Sequence, residues 1–103
     1  MAIEDGVAVE GGVVVELELR GGGRARILES IKDRVILLTD IASPPGRPLA
    51  GRCEQLPELF ELKVRGCRKT TEDPDLPFRV EGRWVNLSRR QIGFLAKELG
   101  SAS

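Results

Sequence analysis

The chain has 103 residues, 41% of them hydrophobic, which is enough for one domain around a single modest core. Its 16 basic and 16 acidic residues cancel to a formal net charge of zero, so no overall charge draws it to nucleic acid or to an anionic membrane. We therefore expect a single domain over residues 1–103, with residues 1–6 and 101–103 as flexible ends.

The N-terminal part of the chain predicts a β-hairpin. Residues 7–9 carry two valines and precede the turn sequence Glu-Gly-Gly at residues 10–12. In residues 13–19 apolar side chains then alternate with mostly polar ones, the pattern of a strand with one buried face. Three glycines at residues 21–23 have no side chains to pack and should end that strand in a turn.

The middle of the chain predicts two further strands and a loop. Residues 24–29 resume an extended pattern, and residues 30–33 are expected to form a turn. Residues 34–39 contain a continuous apolar run, which is typical of a strand buried on both sides. Residues 43–48 hold three prolines, which remove backbone donors and fix φ, so this segment is a loop.

The last half of the chain predicts two strands and a helix. After a short piece at residues 49–53, residues 58–69 and 78–86 show period-2 alternation, and the acidic segment 72–75 between them is turn-rich. Ser88 and Gln91 have the spacing of a capping box at a helix start. One apolar face of that helix is expected to close the fold, and it consists of Ile92, Leu95, Ala96 and Leu99. Gly100 follows the helix as its expected C-cap.

These elements define the expected fold class. Six short strands separated by turns and followed by one amphipathic helix predict a mainly β protein, a six-stranded antiparallel barrel whose opening or edge the C-terminal helix covers. No spacing of strand and helix suits a βαβ unit. Trp84 alternates in register with Phe78 and Val80, so we expect its side chain in the core.

Catalytic chemistry has little support in the sequence. The chain has no histidine and no tyrosine, and it contains no GxSxG, P-loop or HExxH motif. Cys53 and Cys67 lack CxxC spacing, so we interpret them as small apolar residues rather than metal ligands, and we expect no cofactor. A non-enzymatic protein is predicted. Because the N-terminus is acidic and no apolar run reaches membrane-spanning length, we expect it to be cytoplasmic, without a membrane span.

The clearest candidate for a ligand site is the turn Arg20-Gly-Gly-Gly-Arg24. Two guanidinium groups on either side of unshielded backbone amides can hold a phosphate. The alternative, which spacing alone favours, is a glycine hairpin between two solvated arginines. Four more arginines occupy outward strand positions, where a solubilising surface is the simpler interpretation: Arg65, Arg68, Arg79 and Arg83.

The order of these elements resembles a PilZ domain. The resemblance rests on FELKVRGCRK (residues 60–69), on FRVEGRWVNLSRRQ (residues 78–91) and on the terminal amphipathic helix, and it extends over about residues 13–100. It implies a six-stranded antiparallel barrel with a terminal helix, in a bacterial family of which many members are receptors for the second messenger cyclic di-GMP.

Family members that bind the nucleotide carry two motifs, and both are degenerate here. Arg20 and Arg24 match RxxxR in letters but flank a turn between strands, whereas the family's motif precedes the first barrel strand. For (D/N)xSxxG, residues 28–33 keep the serine only, and residues 40–46 keep all three residue types but are one residue too long. The ligand site that the resemblance implies comprises Arg20, Arg24, Arg26, Ser30 and Asp33.

Three functions therefore stand as expectations. The first is a small PilZ-type regulatory module that binds cyclic di-GMP in bacterial signalling. The second is a PilZ-like adaptor that binds no nucleotide and docks a protein partner of a pilus or motility system through its helix face or its basic strand face. The third is a small barrel for single-stranded nucleic acid, which zero net charge and only four aromatic residues disfavour.

Overall fold

The computed structural model describes residues 15–99 and forms six strands and one helix. The predicted strand at residues 7–9, its turn at residues 10–12 and the C-cap Gly100 lie outside the described residues. The elements are β1 (Val15–Leu19), β2 (Arg24–Ile31), β3 (Arg34–Thr39), β4 (Pro48–Arg52), β5 (Phe60–Lys69), β6 (Phe78–Val85) and α1 (Arg89–Leu99).

The six strands form one closed antiparallel barrel. Their order around the barrel is β1-β2-β3-β6-β5-β4, and the pairing of β4 with β1, Glu18 opposite Arg52 and Leu19 opposite Gly51, closes it. The predicted fold class is therefore confirmed. The short piece expected at residues 49–53 is the strand β4, which pairs on both sides and completes the barrel. Within residues 15–99 no helix is long and apolar enough to cross a bilayer.

The alternation seen in the sequence sorts side chains between the barrel interior and the outside. Val15, Leu17 and Leu19 of β1 are buried, while Glu16 and Glu18 between them are exposed. The interior is filled by side chains from all six strands and by Leu95 of the helix. Such a packed interior leaves binding to the outer surface of the barrel.

Helix α1 covers one end of this core. Trp84 is buried, as predicted, and its ring centroid lies 5.6 Å from that of Phe60. The Phe94 ring of the helix approaches the same Phe60 ring at 6.2 Å, and Leu95 is buried beside it. Tilted aromatic pairs at these distances add favourable edge-to-face contacts to the apolar burial, so this cluster holds the helix on the barrel.

Three local predictions need correction. Pro48, which was expected in the loop 43–48, is the first residue of β4 and pairs with Lys63. Ser30 and Ile31 continue β2 through their pairing with Val35 and Arg34, so the turn narrows to Lys32 and Asp33. Ile92 does not help close the barrel, because its side chain is 54% exposed. The helix instead faces the core with Gln91 and Leu95, since Gln91 donates a side-chain hydrogen bond of 2.8 Å to the Leu59 carbonyl oxygen and so sets the rotation of the helix.

Strand β3 is buried on both faces, as predicted. Val35 and Leu37 point into the barrel, and Ile36 and Leu38 are buried on its outer side. The segment 70–77 between β5 and β6 folds back over the outer side near Leu38, because it pairs with the side chains that flank Leu38 on the neighbouring strands. Both cysteines are free thiols, Cys53 buried and Cys67 half-buried.

Candidate functional site

The turn between β1 and β2 has a backbone that only glycine adopts readily. Gly21, Gly22 and Gly23 have φ angles of +89°, +105° and +100°. The Gly22 amide donates to the Leu19 carbonyl oxygen at 3.0 Å, and the Leu19 amide donates to the Gly23 carbonyl oxygen at 2.9 Å. These glycines let β1 reverse into β2 within a few residues, as the sequence predicts.

Arg20 and Arg24 flank this turn and expose their guanidinium groups. The Arg20 group lies 4.0 Å from the Glu61 carboxylate, with both side chains largely in solvent, so the pair restrains it little. The Arg24 backbone amide donates to the Asp40 carboxylate at 2.8 Å, while its side chain is exposed. Both arginines thus flank the same turn with exposed side chains, and Arg20 reaches towards Glu61 of β5.

Arg26, the third predicted ligand residue, is already engaged. It points outward from β2 and forms an ion pair with Asp73 of the segment 70–77. The two side chains are only 28% and 18% exposed, so this contact is partly shielded from water. A ligand that used Arg26 would first have to displace Asp73.

Ser30 and Asp33 lie at the far end of β2 and are engaged as well. The Ser30 hydroxyl oxygen accepts a hydrogen bond of 2.8 Å from the indole nitrogen of Trp84. The Asp33 carboxylate accepts hydrogen bonds from the Arg83 guanidinium, with Nε at 3.1 Å, and this contact holds the pKa of Asp33 below its usual 3.8. Both residues serve contacts within the barrel.

The structure consequently divides the predicted ligand site. Strand β2 spans eight residues from Arg24 to Ile31, and a rise of about 3.3 Å per residue separates its ends by about 23 Å. Arg20 and Arg24 lie at one end, and Ser30 and Asp33 lie at the other. The five predicted residues do not form one pocket.

An apolar groove between the end of β2 and helix α1 was missed by the sequence analysis. Three large apolar side chains on it are exposed, Leu28 by 38%, Ile31 by 53% and Ile92 by 54%. Its volume is about 690 Å³. The lining consists of Leu28, Glu29, Ser30, Ile31, Lys32, Leu87, Ile92, Leu95, Ala96 and Leu99.

A β-bulge creates the strand wall of this groove. The register of β2 against β3 shifts between Ile27 and Glu29, so the outward alternation of β2 is broken at Leu28. Strand β1 pairs with β2 only as far as Ile27 among the described residues, and beyond it β2 continues against β3 alone. Within residues 15–99, the wall of the groove from Leu28 to Ile31 is therefore paired on its β3 side only.

Two outward arginines, Arg34 of β3 and Arg83 of β6, are each paired with an acid. Arg83 lies directly between Lys63 of β5 and Arg34 of β3 in the register of the sheet. Arg83 pairs with Asp33, and Arg34 pairs with Glu81 at 3.3 Å.

Within residues 15–99 no cluster of three or more acidic or cysteine side chains is placed to hold a metal ion.

We compared the chain with known protein families, with curated proteins and with solved structures, and none of them matches it.

Proposed function

We propose that this chain is a small PilZ-type regulatory binding module that acts by contact with a partner protein. The observation that carries this proposal is the exposed apolar groove between β2 and α1. Three exposed large apolar side chains on one groove are costly in water, and exposed apolar patches of this kind commonly mark interaction sites. The resemblance in element order supplies the regulatory class.

The occupant that the groove suits is an extended apolar segment of a partner protein. Among residues 15–99 the wall from Leu28 to Ile31 pairs with β3 only, and a partner strand laid along its other side would extend the sheet. Alternate side chains of that strand would then enter the space between Ile31 and Ile92. Lys32 at the rim would favour an acidic residue at one end of the segment.

Site-specific cross-linking tests this proposal. A photo-reactive residue at Ile92 or Ile31 should capture one partner protein in the cell, and the same residue at Arg52, on the strand β4, should not. Binding of the purified partner should weaken at least tenfold in Ile31→Glu and be unchanged in the double variant Arg20→Ala, Arg24→Ala. Cross-links only to the chain's own residues 1–14 or to a second copy would contradict the proposal.

A second candidate function is the binding of cyclic di-GMP at the turn between β1 and β2. It is supported by the exposed guanidinium groups of Arg20 and Arg24 on either side of a glycine backbone. Planar guanidinium groups pair with phosphate oxygens in a bidentate way and stack on purine rings. Ser30 and Asp33 are too far from this turn to take part, so the site would consist of the arginines and backbone amides.

Calorimetry separates the two functions. For the second function, titration of the purified chain with cyclic di-GMP should give heat that disappears in the Arg20→Ala, Arg24→Ala variant. Ser30→Ala should leave that heat unchanged, because Ser30 lies at the far end of β2. The absence of heat at high micromolar nucleotide would exclude this candidate and leave the groove proposal untouched.

A further inference from the structure

A row of arginines crosses the outer face of the barrel beneath the segment 70–77. Arg26 of β2 lies opposite Leu38 of β3, Leu38 lies opposite Arg79 of β6, and Arg79 lies opposite Arg68 of β5. Neighbouring strands are about 4.8 Å apart, so three guanidinium groups are anchored within about 15 Å of one another. Like charges directly opposite each other on a sheet are destabilising, and the pair Arg68–Arg79 is such a contact.

Two consecutive acids of the segment 70–77 are placed on this row. The Glu72 carboxylate accepts a hydrogen bond of 2.8 Å from Arg79, and the Asp73 carboxylate accepts one from Arg26. The segment therefore spans Leu38 with one carboxylate on either side. Leu76 of the same segment is buried, although it lies outside the main core.

Hydrogen bonds within the segment 70–77 fix its conformation over the arginine row. The Asp75 amide donates to the second Asp73 carboxylate oxygen at 2.8 Å, and the Leu76 amide donates to the Asp73 carbonyl oxygen at 3.1 Å. At its base the Thr70 amide donates to the Pro77 carbonyl oxygen at 2.8 Å. These contacts hold the Asp73 carboxylate against the arginine row.

Arg26 is incompletely satisfied by this arrangement. Its Nε–H is buried, and within the described part of the chain it has no hydrogen-bond partner. Buried guanidinium N–H groups normally all find acceptors, and a bidentate anion satisfies Nε and one terminal nitrogen together. The Asp73 carboxylate bonds one terminal nitrogen only, so it is a poorer partner than a phosphate that uses both positions.

We infer that Arg26, Arg79 and Arg68 form a binding site for a small molecule with two phosphate groups, and that Glu72 and Asp73 occupy this site as a built-in competitor. A ligand that displaces the two carboxylates lifts the segment 70–77 from the barrel. When the segment moves away, Leu38 and Leu76 become exposed to solvent. Ligand binding therefore changes the outer surface of the barrel. This inference does not rest on either function proposed above.

Removal of the competing charge tests the inference with inorganic pyrophosphate as the probe. The double variant Glu72→Gln, Asp73→Asn keeps the shape of the segment, and at low salt it should bind pyrophosphate at least tenfold more tightly than the wild-type chain. Asp75→Asn is the control, because it removes a negative charge from the same segment and, within residues 15–99, Asp75 forms no ion pair with an arginine. It should bind like the wild-type chain.

Three further measurements keep the test decisive. Arg26→Gln and Arg79→Gln, each introduced into the double variant, should abolish the gain. In the wild-type chain, saturating pyrophosphate should speed hydrogen exchange at the amides of Thr70 and Leu76. If the double variant does not fold, Glu72→Gln alone should still increase affinity severalfold, since it leaves the Arg26–Asp73 pair in place. Equal affinity in wild type and variants, no binding by any of them, or tight binding that survives loss of both arginines would overturn the inference.

Discussion

The indole nitrogen of Trp84 donates a hydrogen bond of 2.8 Å to the hydroxyl oxygen of Ser30, which joins β6 to β2 across the end of β3. Ser30 pairs with Val35, whose side chain is in the core, so the serine also points inward. The contact lies at the end of the barrel that helix α1 covers. It gives Ser30 a structural role that needs no ligand.

Ser30→Ala should destabilise the barrel by about 1–3 kcal/mol, because it leaves a buried indole N–H without an acceptor. The measurement is the free energy of unfolding in urea. Trp84→Phe is the matched background, since it removes the donor. In that background Ser30→Ala should cost less than half as much, and an equal cost in both backgrounds would show that the hydrogen bond contributes nothing.

The start of helix α1 carries the capping box that the sequence predicts. The Gln91 amide donates to the Ser88 hydroxyl at 3.1 Å, and the Ser88 amide donates to the Gln91 side-chain oxygen at 2.8 Å. Ser88→Ala should therefore cost about 1 kcal/mol of unfolding free energy. Gln91→Ala should cost more, because Gln91 is buried and also bonds the Leu59 carbonyl. Arg89→Ala, an exposed neighbour, should change stability by less than about 0.5 kcal/mol. Equal losses for Arg89→Ala and Ser88→Ala would contradict the cap.

Gly82 is required by the close approach of β5 to β6. A Cβ atom at this position would lie 2.6 Å from the Lys63 carbonyl oxygen and 2.7 Å from a Leu62 methyl group. Gly82→Ala should cost about 1–3 kcal/mol, the usual range for overpacking a core. Gly66→Ala is the matched control in the neighbouring strand, because a Cβ there meets nothing within 4 Å. Thermal unfolding of the two variants should show a lower midpoint for Gly82→Ala alone.

The carboxyl group of Asp33 is tuned by Arg83. The hydrogen bond from Arg83 lowers the pKa of Asp33 below 3.8 more than desolvation raises it. A carboxyl group whose pKa is lower in the folded chain stabilises it at pH values above 3.8, and this contribution disappears as the pH falls through the folded-state pKa. Arg83→Gln should therefore move the pKa of Asp33 up towards 3.8.

Carbon-13 NMR of the Asp33 carboxyl group during an acid titration measures this shift. Arg34→Gln is the control, because Arg34 is adjacent to Asp33 in the chain but pairs with Glu81. It should leave the pKa of Asp33 lower than in the Arg83→Gln variant. An Asp33 pKa that is the same in all three proteins would show that Arg83 does not tune this carboxyl group.

The fold was largely predictable because the strands and turns follow from patterns within short stretches of sequence. Alternating apolar residues in β1, β5 and β6 can bury one face only as strands, and three successive glycines in positive φ end β1 as expected. The rotation of helix α1 was not predictable. Ile92 lies on the most apolar helical face by sequence, yet the bond from Gln91 to Leu59, 32 residues away, turns that residue outward.

The site shows the same division. Arg20, Arg24, Arg26, Ser30 and Asp33 are near one another in the chain, but an extended strand separates close neighbours by several ångströms per residue. Their engagement depends on distant partners: Asp73 is 47 residues from Arg26, and Trp84 is 54 residues from Ser30. Residue spacing in one sequence does not predict pairs between residues that lie so far apart in the chain.

The sequence by itself determined five of the six described strands, the glycine turn and the capping box of the helix, because periodicity and backbone preference act over a few residues. Only the tertiary structure decided which polar side chains are already paired, that the segment 70–77 lies across the arginine row, and that a bulge in β2 opens an apolar groove beside α1. Those features depend on barrel closure, which brings together residues that the chain keeps far apart.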